Sequence, residues 1–324
     1  MVTGALSLFS NAYRDAADDA LMSATAEVDR LLSEKKILFL SGKGGTGKST
    51  VAGLLALRAR ALGLTPLVFE CDAPSRPSLF VKGERTRNQI SEVSEGIYAL
   101  NQPSEDAIRA YAAAALPNKK LADLLLENRV SRLFLNAAPS VSEMALVGRV
   151  VQLSQQADHA PIIVDLHSTG HALHILRAPE GIMRVLRSGP VFERAKLVQE
   201  TLYDPERVAL IPVALPEELP VTETIEFVSA LKQMNVPLGP VVVNALFNDP
   251  VKTSADFSQL PESLSPLVSA RASVRQWALR HKRERGRLAD SIELPLFDLP
   301  YLSDIPVDST LAQTLYDVTY GVDQ

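Results

Sequence analysis

Residues 37–63, ILFLSGKGGTGKSTVAGLLALRARALG, contain the segment that decides the fold. An apolar strand at 37–40 runs into a glycine-rich turn, and a helix follows from about Lys48 to Gly63. A second apolar strand, at 66–70, completes a strand–helix–strand unit, which places the two strands parallel in one sheet. Further strands are predicted at 97–100, 162–165, 208–213 and 241–244. This order predicts an α/β fold with a doubly wound, mostly parallel sheet.

The glycine-rich turn fits the phosphate-binding pattern G-x-x-x-x-G-K-[ST] and has the strand and helix that this pattern requires on either side. Its glycines let backbone N–H groups approach a phosphate, and the helix dipole adds attraction for negative charge. Lys48 is expected to reach the β- and γ-phosphates of a nucleotide, and the Ser49 hydroxyl to bind Mg²⁺. The predicted nucleotide-binding set is Gly42, Gly44, Gly45, Thr46, Gly47, Lys48, Ser49 and Thr50.

The turn contains a second lysine, Lys43, which projects from the rim and cannot do the work of Lys48. The pattern G-K-G-G-x-G-K-[ST] resembles the deviant loop of dimeric P-loop ATPases. These include chromosome-partitioning, division-site and nitrogenase iron proteins, and the arsenite-pump and tail-anchored-protein-targeting ATPases. The resemblance implies that Lys43 reaches across a dimer to the partner's nucleotide, and charges supplied in this way are worth roughly 10³–10⁵ in rate. The alternative is a solvated lysine at the rim.

Two further segments resemble the arsenite-pump and tail-anchored-targeting branch. In PIIVDLHSTGHALHILR, residues 161–177, the apolar strand ending in Asp165 is a Walker-B pattern, whose carboxylate would position Mg²⁺ through water. The STGH that follows resembles the branch's switch, which implies that Gly170 and His171 sense the γ-phosphate. CDAPSRPS, residues 71–78, resembles the first switch. There the resemblance implies a catalytic Asp72 that orients the attacking water, and the alternative is an aspartate that caps a strand end.

The segment ALPEELPVTET, followed by a strand ending in VVVN, closely resembles the same branch. The resemblance implies that Asn244 recognises adenine, and an amide side chain has the donor and acceptor that suit the adenine edge. A turn residue at the strand end is the alternative. Glu223 matches the glutamate of the branch's helix, but it could equally be a first-turn acid. Residues 294–302, LPLFDLPYL, fall where the branch closes a loop over the base.

The resemblance covers residues 35–324 and leaves 1–34 as an N-terminal helical arm, with a helix predicted at 5–33 that packs on its own domain or on a partner. Residues 101–158 are mainly helical and are predicted to form a helical insertion subdomain. Its helices include one beginning at Ser104 and one with Ser140 and Glu143 as a capping box. Residues 248–268 are punctuated by proline and serine and predict a loop.

Composition excludes several classes of function. The single cysteine, Cys71, rules out an intramolecular disulfide framework and a multi-thiolate zinc site on one chain. The net charge of −5 argues against nucleic acid, and the basic run at 280–287 is interpreted as a solvated helix face rather than a nucleic-acid patch. Four histidines fall within 159–174, but no carboxylate or thiol lies beside them at ligand spacing. No signal-peptide pattern or apolar run of about eighteen residues is present, so we expect a cytoplasmic protein without an integral membrane segment.

The resemblance implies a dimeric ATPase with ATP and Mg²⁺ as cofactors and Asp72, Lys43 and Lys48 as catalytic residues. Its partner would be a second copy or a related ATPase. A carrier for a protein client would use an apolar groove on the insertion. Residues that could contribute to it are Leu121, Leu124, Leu125, Val130 and Met144. Leucines at this spacing are more often part of a core than of a groove. A positioning or scaffold ATPase with an assembly partner is the alternative, and a ligase-type synthetase is the least supported. Without a C-x-x-C pair or several cysteines, neither a zinc-clamped dimer nor arsenite activation is expected.

Overall fold

The computed structural model describes residues 18–71, 86–115, 139–156, 158–166, 169–248, 265–302 and 309–320. The strands are β1 Ile37–Ser41, β2 Leu67–Cys71, β3 Ser91–Ser94, β4 Ile97–Gln102, β5 Ile162–Asp165, β6 Val208–Ala214, β7 Val241–Leu246 and β8 Leu296–Pro300. The helices are α1 Asp18–Glu34, α2 Lys48–Ala61, α3 Ser104–Ala115, α4 Pro139–Gln155, α5 Thr169–Val185, α6 Pro190–Leu202, α7 Glu218–Gln233, α8 Ser265–Ser291 and α9 Ser309–Tyr320.

The strands form one eight-stranded sheet in the order β3-β4-β2-β5-β1-β6-β7-β8. β3 pairs antiparallel with β4, and the other neighbouring strands pair in parallel. From β1 the chain goes to β2 on one side, and it later returns past β1 to β6 on the other. Such a reversal opens a crevice at the carboxyl ends of the strands, which is the usual ligand site of a doubly wound sheet. The predicted fold class is confirmed.

Both faces of the sheet are covered, and this explains why its central strands are apolar throughout rather than alternating. β1 and β6 are buried along their whole length. Because successive strand side chains point to opposite faces, β1 contributes to two cores. Ile37 and Phe39 pack with residues of α3, α4, α5 and α6, whereas Leu38 and Leu40 pack with residues of α1, α2 and α9.

The six strands predicted from the sequence are present, with ends that shift by no more than a few residues. β3 and β8 were not predicted, since one is short and polar and the other lies between prolines. The expectation of a loop over the base at 294–302 is wrong for 296–300. These residues form an edge strand in which Phe297 and Leu299 are fully buried. Helix α8 begins at Ser265, inside the segment predicted as a loop, whose residues 249–264 lie outside the described part of the chain.

The described part of the N-terminal arm packs against its own chain. Helix α1 buries Ala24, Val28, Leu31 and Leu32 in the core that also contains α2. Asp29 accepts two hydrogen bonds from the Arg58 guanidinium of α2, at 2.7 and 2.6 Å. The same guanidinium lies 4.3 Å from the centre of the Tyr320 ring of α9. The two ends of the described chain therefore meet on the helix that follows the phosphate-binding turn.

In the predicted insertion, α3 and α4 pack on each other and on α6. Met144 is 1% exposed and belongs to the core rather than to a surface groove. The other proposed groove residues, from Leu121 to Val130, lie outside the described residues. Helix α4 begins at Pro139, one residue before the Ser140 predicted to cap it, and proline suits the first turn of a helix. The capping box of Ser140 and Glu143 stays a prediction. The limits of the arm and of the insertion as domains stay predictions.

Candidate nucleotide-binding site

The phosphate-binding pattern lies where β1 ends and α2 begins, and two of its glycines are required by the path of the chain. A Cβ on Gly42 would lie 2.1 Å from the carbonyl oxygen of Val213 in the neighbouring strand β6. Gly47 is the N-cap of α2 with a φ of +85°, in the left-handed region that favours glycine. The turn therefore brings the backbone N–H groups of the first turn of α2 to the crevice at the carboxyl edge of the sheet.

The Lys48 side chain folds back over this turn. Its Nζ donates hydrogen bonds to the carbonyl oxygens of Gly42 and Lys43, each at 3.2 Å. The Thr46 hydroxyl also donates to the Lys43 carbonyl, at 2.9 Å. The ammonium group is thereby held against the backbone of the turn, which is the position expected of a phosphate-binding lysine. Thr46 and Thr50 are both buried, at 1% and 6% exposure.

Ser49 and Asp165 are 116 residues apart in sequence and meet in the structure. The Ser49 hydroxyl, in the first turn of α2, donates to Asp165 Oδ2 at 2.5 Å. Burial raises the pKa of Asp165, and the hydrogen bond from Ser49 and the charge of Lys48 oppose that rise. A hydroxyl and a carboxylate are hard oxygen ligands, which suit Mg²⁺. The donor set therefore fits the metal that the sequence predicts here.

Asn244, near the end of β7, lies directly against the phosphate-binding turn. Its Nδ2 donates to the carbonyl oxygen of Thr46 at 2.9 Å, and the residue is 8% exposed. A Cβ on Gly47 would lie 2.1 Å from the same nitrogen. The side chain thus supports the backbone of the turn, a role that the sequence did not indicate. The amide nitrogen keeps a second N–H, so that N–H and the oxygen Oδ1 remain as hydrogen-bonding groups for a ligand.

Lys43 forms an ion pair with Glu223 of helix α7, 180 residues away in sequence. Both side chains are partly exposed, at 43% and 37%. Glu223 is not a first-turn acid, because α7 begins at Glu218 and places Glu223 in the second turn. Its match to the glutamate of the branch's helix was the only sequence signal for this residue, and it did not point to Lys43.

An aromatic cluster, defined by Phe247, Trp277, His281 and Tyr301, lies next to the carboxyl ends of β7 and β8, and it was not predicted from the sequence. Phe247 stacks on Trp277 with ring centroids 4.4 Å apart, and Tyr301 meets Trp277 edge-on at 5.3 Å. The backbone N–H of Phe247 donates to His281 Nδ1 at 3.1 Å. Burial lowers the pKa of His281, which favours the neutral imidazole that this bond requires.

Other predicted site residues are only partly covered by the structure. Asp72 follows Cys71, the last residue of β2, and lies outside the described residues. The backbone of Gly170 and His171 lies in the first turn of α5, which follows β5 and Asp165. Among the described residues no group of three or more His, Cys, Asp or Glu side chains is placed to hold a metal ion. None of the helices in that part of the chain combines the length and the apolar character of a membrane-spanning segment.

Comparison with known proteins gives a consistent set of matches. The profile of the family described as anion-transporting ATPase matches residues 35–189 and 189–263, which is more than half of the chain. The ATPase BagA of Mycobacterium tuberculosis is 27% identical over 231 residues, which cover 66% of this chain and 66% of that protein. ATPase GET3B of Arabidopsis thaliana is 24% identical over 276 residues, covering 68% and 67% respectively.

The arsenical pump-driving ATPase of Escherichia coli is 26% identical over 259 residues. The match covers 77% of this chain but only 40% of that protein. The chain therefore matches just under two thirds of the length of the mycobacterial relative, and less than half of the pump-driving one.

Proposed function

Because the chain belongs to the anion-transporting ATPase family, we propose that it binds and hydrolyses MgATP and works as an ATP-controlled dimeric switch. The observation that carries this proposal is the contact between Ser49 and Asp165, since it joins the phosphate-binding turn to the Walker-B strand. The parallel neighbours β1 and β5 bring both groups to the crevice, and a hydroxyl beside a buried carboxylate there suits a metal–phosphate ligand. The cytoplasm, where ATP is available, is the proposed location.

Each part of the site has a proposed role in binding. The backbone N–H groups of the turn and Lys48 would hold the phosphates, with Lys48 exchanging its carbonyl partners for phosphate oxygens. Ser49 would hold Mg²⁺ directly and Asp165 would hold it through water, and the metal neutralises phosphate charge when bound. The remaining acceptor of Asn244, Oδ1, would face position 6 of the purine. An acceptor there pairs with the amino group of adenine and repels the carbonyl of guanine, so ATP is preferred over GTP.

Hydrolysis needs a positioned water and a stabilising charge. We assign the orientation of the water to Asp72 and the charge to Lys43, acting on the nucleotide of a partner chain. The first turn of α5, with Gly170 and His171, would respond to the γ-phosphate and pass the change to the helices packed on it. Loss of the γ-phosphate would then loosen the dimer and release what it holds.

For the biological role we propose a carrier or targeting factor for a protein client. We do not extend the similarity to an arsenical pump-driving ATPase to a metalloid ligand, because the given sequence contains one cysteine and that cysteine is buried. A scaffold ATPase that works with an assembly partner is the alternative outcome of the experiment below. Only the identity of the bound partner separates these two roles.

The first experiment measures nucleotide binding. Lys48→Ala should weaken binding of a fluorescent ATP analogue at least about 100-fold, since it removes the charge held at the phosphates. Lys36→Ala is the matched control, because Lys36 is an exposed lysine just before the first residue of β1, at the end of that strand away from the turn. Equal affinity in the two variants would refute the assignment of the site.

The second experiment identifies the partner. Asp72→Asn should bind ATP but hydrolyse it slowly, which traps the closed form, and proteins that co-purify with it in MgATP are identified by mass spectrometry. Clients with a single apolar terminal segment support the carrier role. A second P-loop ATPase or an assembly protein, with no apolar clients, supports the scaffold role. Hydrolysis at the wild-type rate would refute the placement of Asp72.

A further inference from the structure

The ion pair between Lys43 and Glu223 places the distinctive lysine of the turn on its own chain. The glutamate belongs to a fixed part of the structure. Arg287 of α8 donates to the carbonyl oxygen of Glu218 at 2.6 Å and to the hydroxyl of Thr222 at 3.0 Å, both in the first turns of α7. Arg287 is itself held by Glu284, which is 3% exposed and lies 2.9 Å away. Helix α7 is therefore anchored beside the turn, with Glu223 facing Lys43.

Lys43 is the partner that can move. The next residue is Gly44, and a Cβ added there would meet no atom within 4 Å, so the rim of the turn is open on that side. The Lys43 side chain is 43% exposed, and its ammonium group is carried on a flexible stem of four carbons. The ammonium can therefore leave Glu223 without any change in the core. A phosphate of another chain brought to the same ammonium would be repelled by the Glu223 carboxylate, so the two anions compete for Lys43.

We propose that Glu223 is a positioning residue that holds Lys43 in cis and competes with the nucleotide of a partner chain for the same ammonium group. The pair sets a threshold for assembly, because two chains join only when both lysines have been released. This proposal rests on the proposed function for the trans role of Lys43, but the cis pair itself can be tested without nucleotide or partner.

The expected size of the effect follows from the exposure of the pair. A partly exposed ion pair of ordinary strength is closed for about 60–85% of the time. If only chains with a released Lys43 can dimerise, the apparent affinity of dimerisation is multiplied by the fraction of released lysines once for each of the two chains. Removing the pair from two chains would then strengthen assembly by about 6- to 40-fold. Glu223→Gln keeps a neutral acceptor, so we expect a smaller gain than complete removal of the pair would give, about threefold to tenfold.

The first measurement detects the pair in the full chain without nucleotide. NMR of ¹³C-labelled lysine, with the Lys43 signal assigned through Lys43→Ala, should show that signal shifting in Glu223→Gln. Glu226→Gln is the matched control, since Glu226 is an exposed glutamate on the same helix one turn away. A Lys43 signal that is the same in wild type and Glu223→Gln, or that moves equally in the control, would overturn the proposal.

The second measurement follows assembly by sedimentation in the presence of Mg²⁺ and a non-hydrolysable ATP analogue. The protein concentration at which half of the chains are dimeric should be about threefold to tenfold lower for Glu223→Gln than for wild type. For Glu226→Gln it should equal the wild-type concentration. The gain should vanish when Lys43→Ala is also present. An unchanged or higher concentration for Glu223→Gln would refute the competition. A wild-type chain that binds the analogue but stays monomeric would instead refute the dimer of the proposed function, and the lysine signal would still report on the pair.

Discussion

Gly47→Ala tests whether the phosphate-binding turn is held in shape from both of its sides. Gly47 has a φ of +85°, and a Cβ there would lie 2.1 Å from Asn244 Nδ2. That nitrogen cannot easily move, because it donates to the carbonyl oxygen of Thr46 and its residue is 8% exposed. The substitution therefore strains the backbone and also displaces a buried hydrogen bond.

The two costs can be estimated separately. Left-handed backbone costs a residue with a Cβ roughly 1–2 kcal/mol, and forcing a methyl group into a filled site adds about 1–3 kcal/mol. We expect the free energy of unfolding to fall by about 2–5 kcal/mol. Gly44→Ala is the matched control in the same turn. Its Cβ would meet nothing within 4 Å, and its φ lies outside the strained region, so a change within about 0.5 kcal/mol is expected.

Urea unfolding of both variants without nucleotide separates stability from binding. Combining Gly47→Ala with Asn244→Ala removes the group that the methyl would strike. The double variant should therefore lose less stability than the sum of the two single variants, by about 1 kcal/mol or more. The reasoning is refuted if Gly47→Ala and Gly44→Ala unfold at the same urea concentration, or if the two losses at Gly47 and Asn244 simply add.

Three further predictions concern other contacts of the site and its supports. Arg58→Ala should lower the free energy of unfolding by about 1–2 kcal/mol in urea titration, since it removes the two hydrogen bonds that join α2 to Asp29 of α1. Asp165→Asn should raise the free energy of unfolding at pH 7, because burial raises the pKa of this carboxyl and its ionised form costs folding energy above that pKa. The gain should shrink as the pH falls towards about 4, and Mg²⁺-dependent ATP binding should be lost. Asn244→Asp should lower the free energy of unfolding by about 1–3 kcal/mol and weaken ATP binding, because a carboxylate has no proton to donate to the Thr46 carbonyl.

Each of these has a control elsewhere on the described surface. Arg184→Ala removes an arginine that is 77% exposed, and its cost should stay within about 0.5 kcal/mol. Asp290→Asn and Asn248→Asp change exposed residues in the same chemical sense and should leave both stability and ATP binding as they are. A destabilised Asp165→Asn at pH 7, or an Asn244→Asp as stable as Asn248→Asp, would contradict the assigned environments.

Much of the fold could be predicted because it follows from the pattern of apolar and polar residues within short segments. Apolar strands such as 37–40 and 162–165 must be buried on both faces, and the alternation of strands and helices leaves a parallel sheet as the solution. The phosphate-binding turn is local for the same reason: Gly42 to Ser49 are consecutive, so their spacing already contains the geometry. The edge strand β8 and the start of α4 were missed or misplaced, because edge pairing and helix ends depend on neighbours that a short window does not contain.

What the sequence by itself determined is therefore the class of fold, the place of the turn and the family. Only the tertiary structure decided which distant groups face one another across the crevice. Ser49 meets Asp165 over 116 residues, Lys43 meets Glu223 over 180, and Asn244 meets Thr46 over 198. The physical reason is that strand order and register bring carboxyl ends of different strands to one edge. No local propensity specifies that order, since it results from the packing of the whole sheet against the helices on both of its faces.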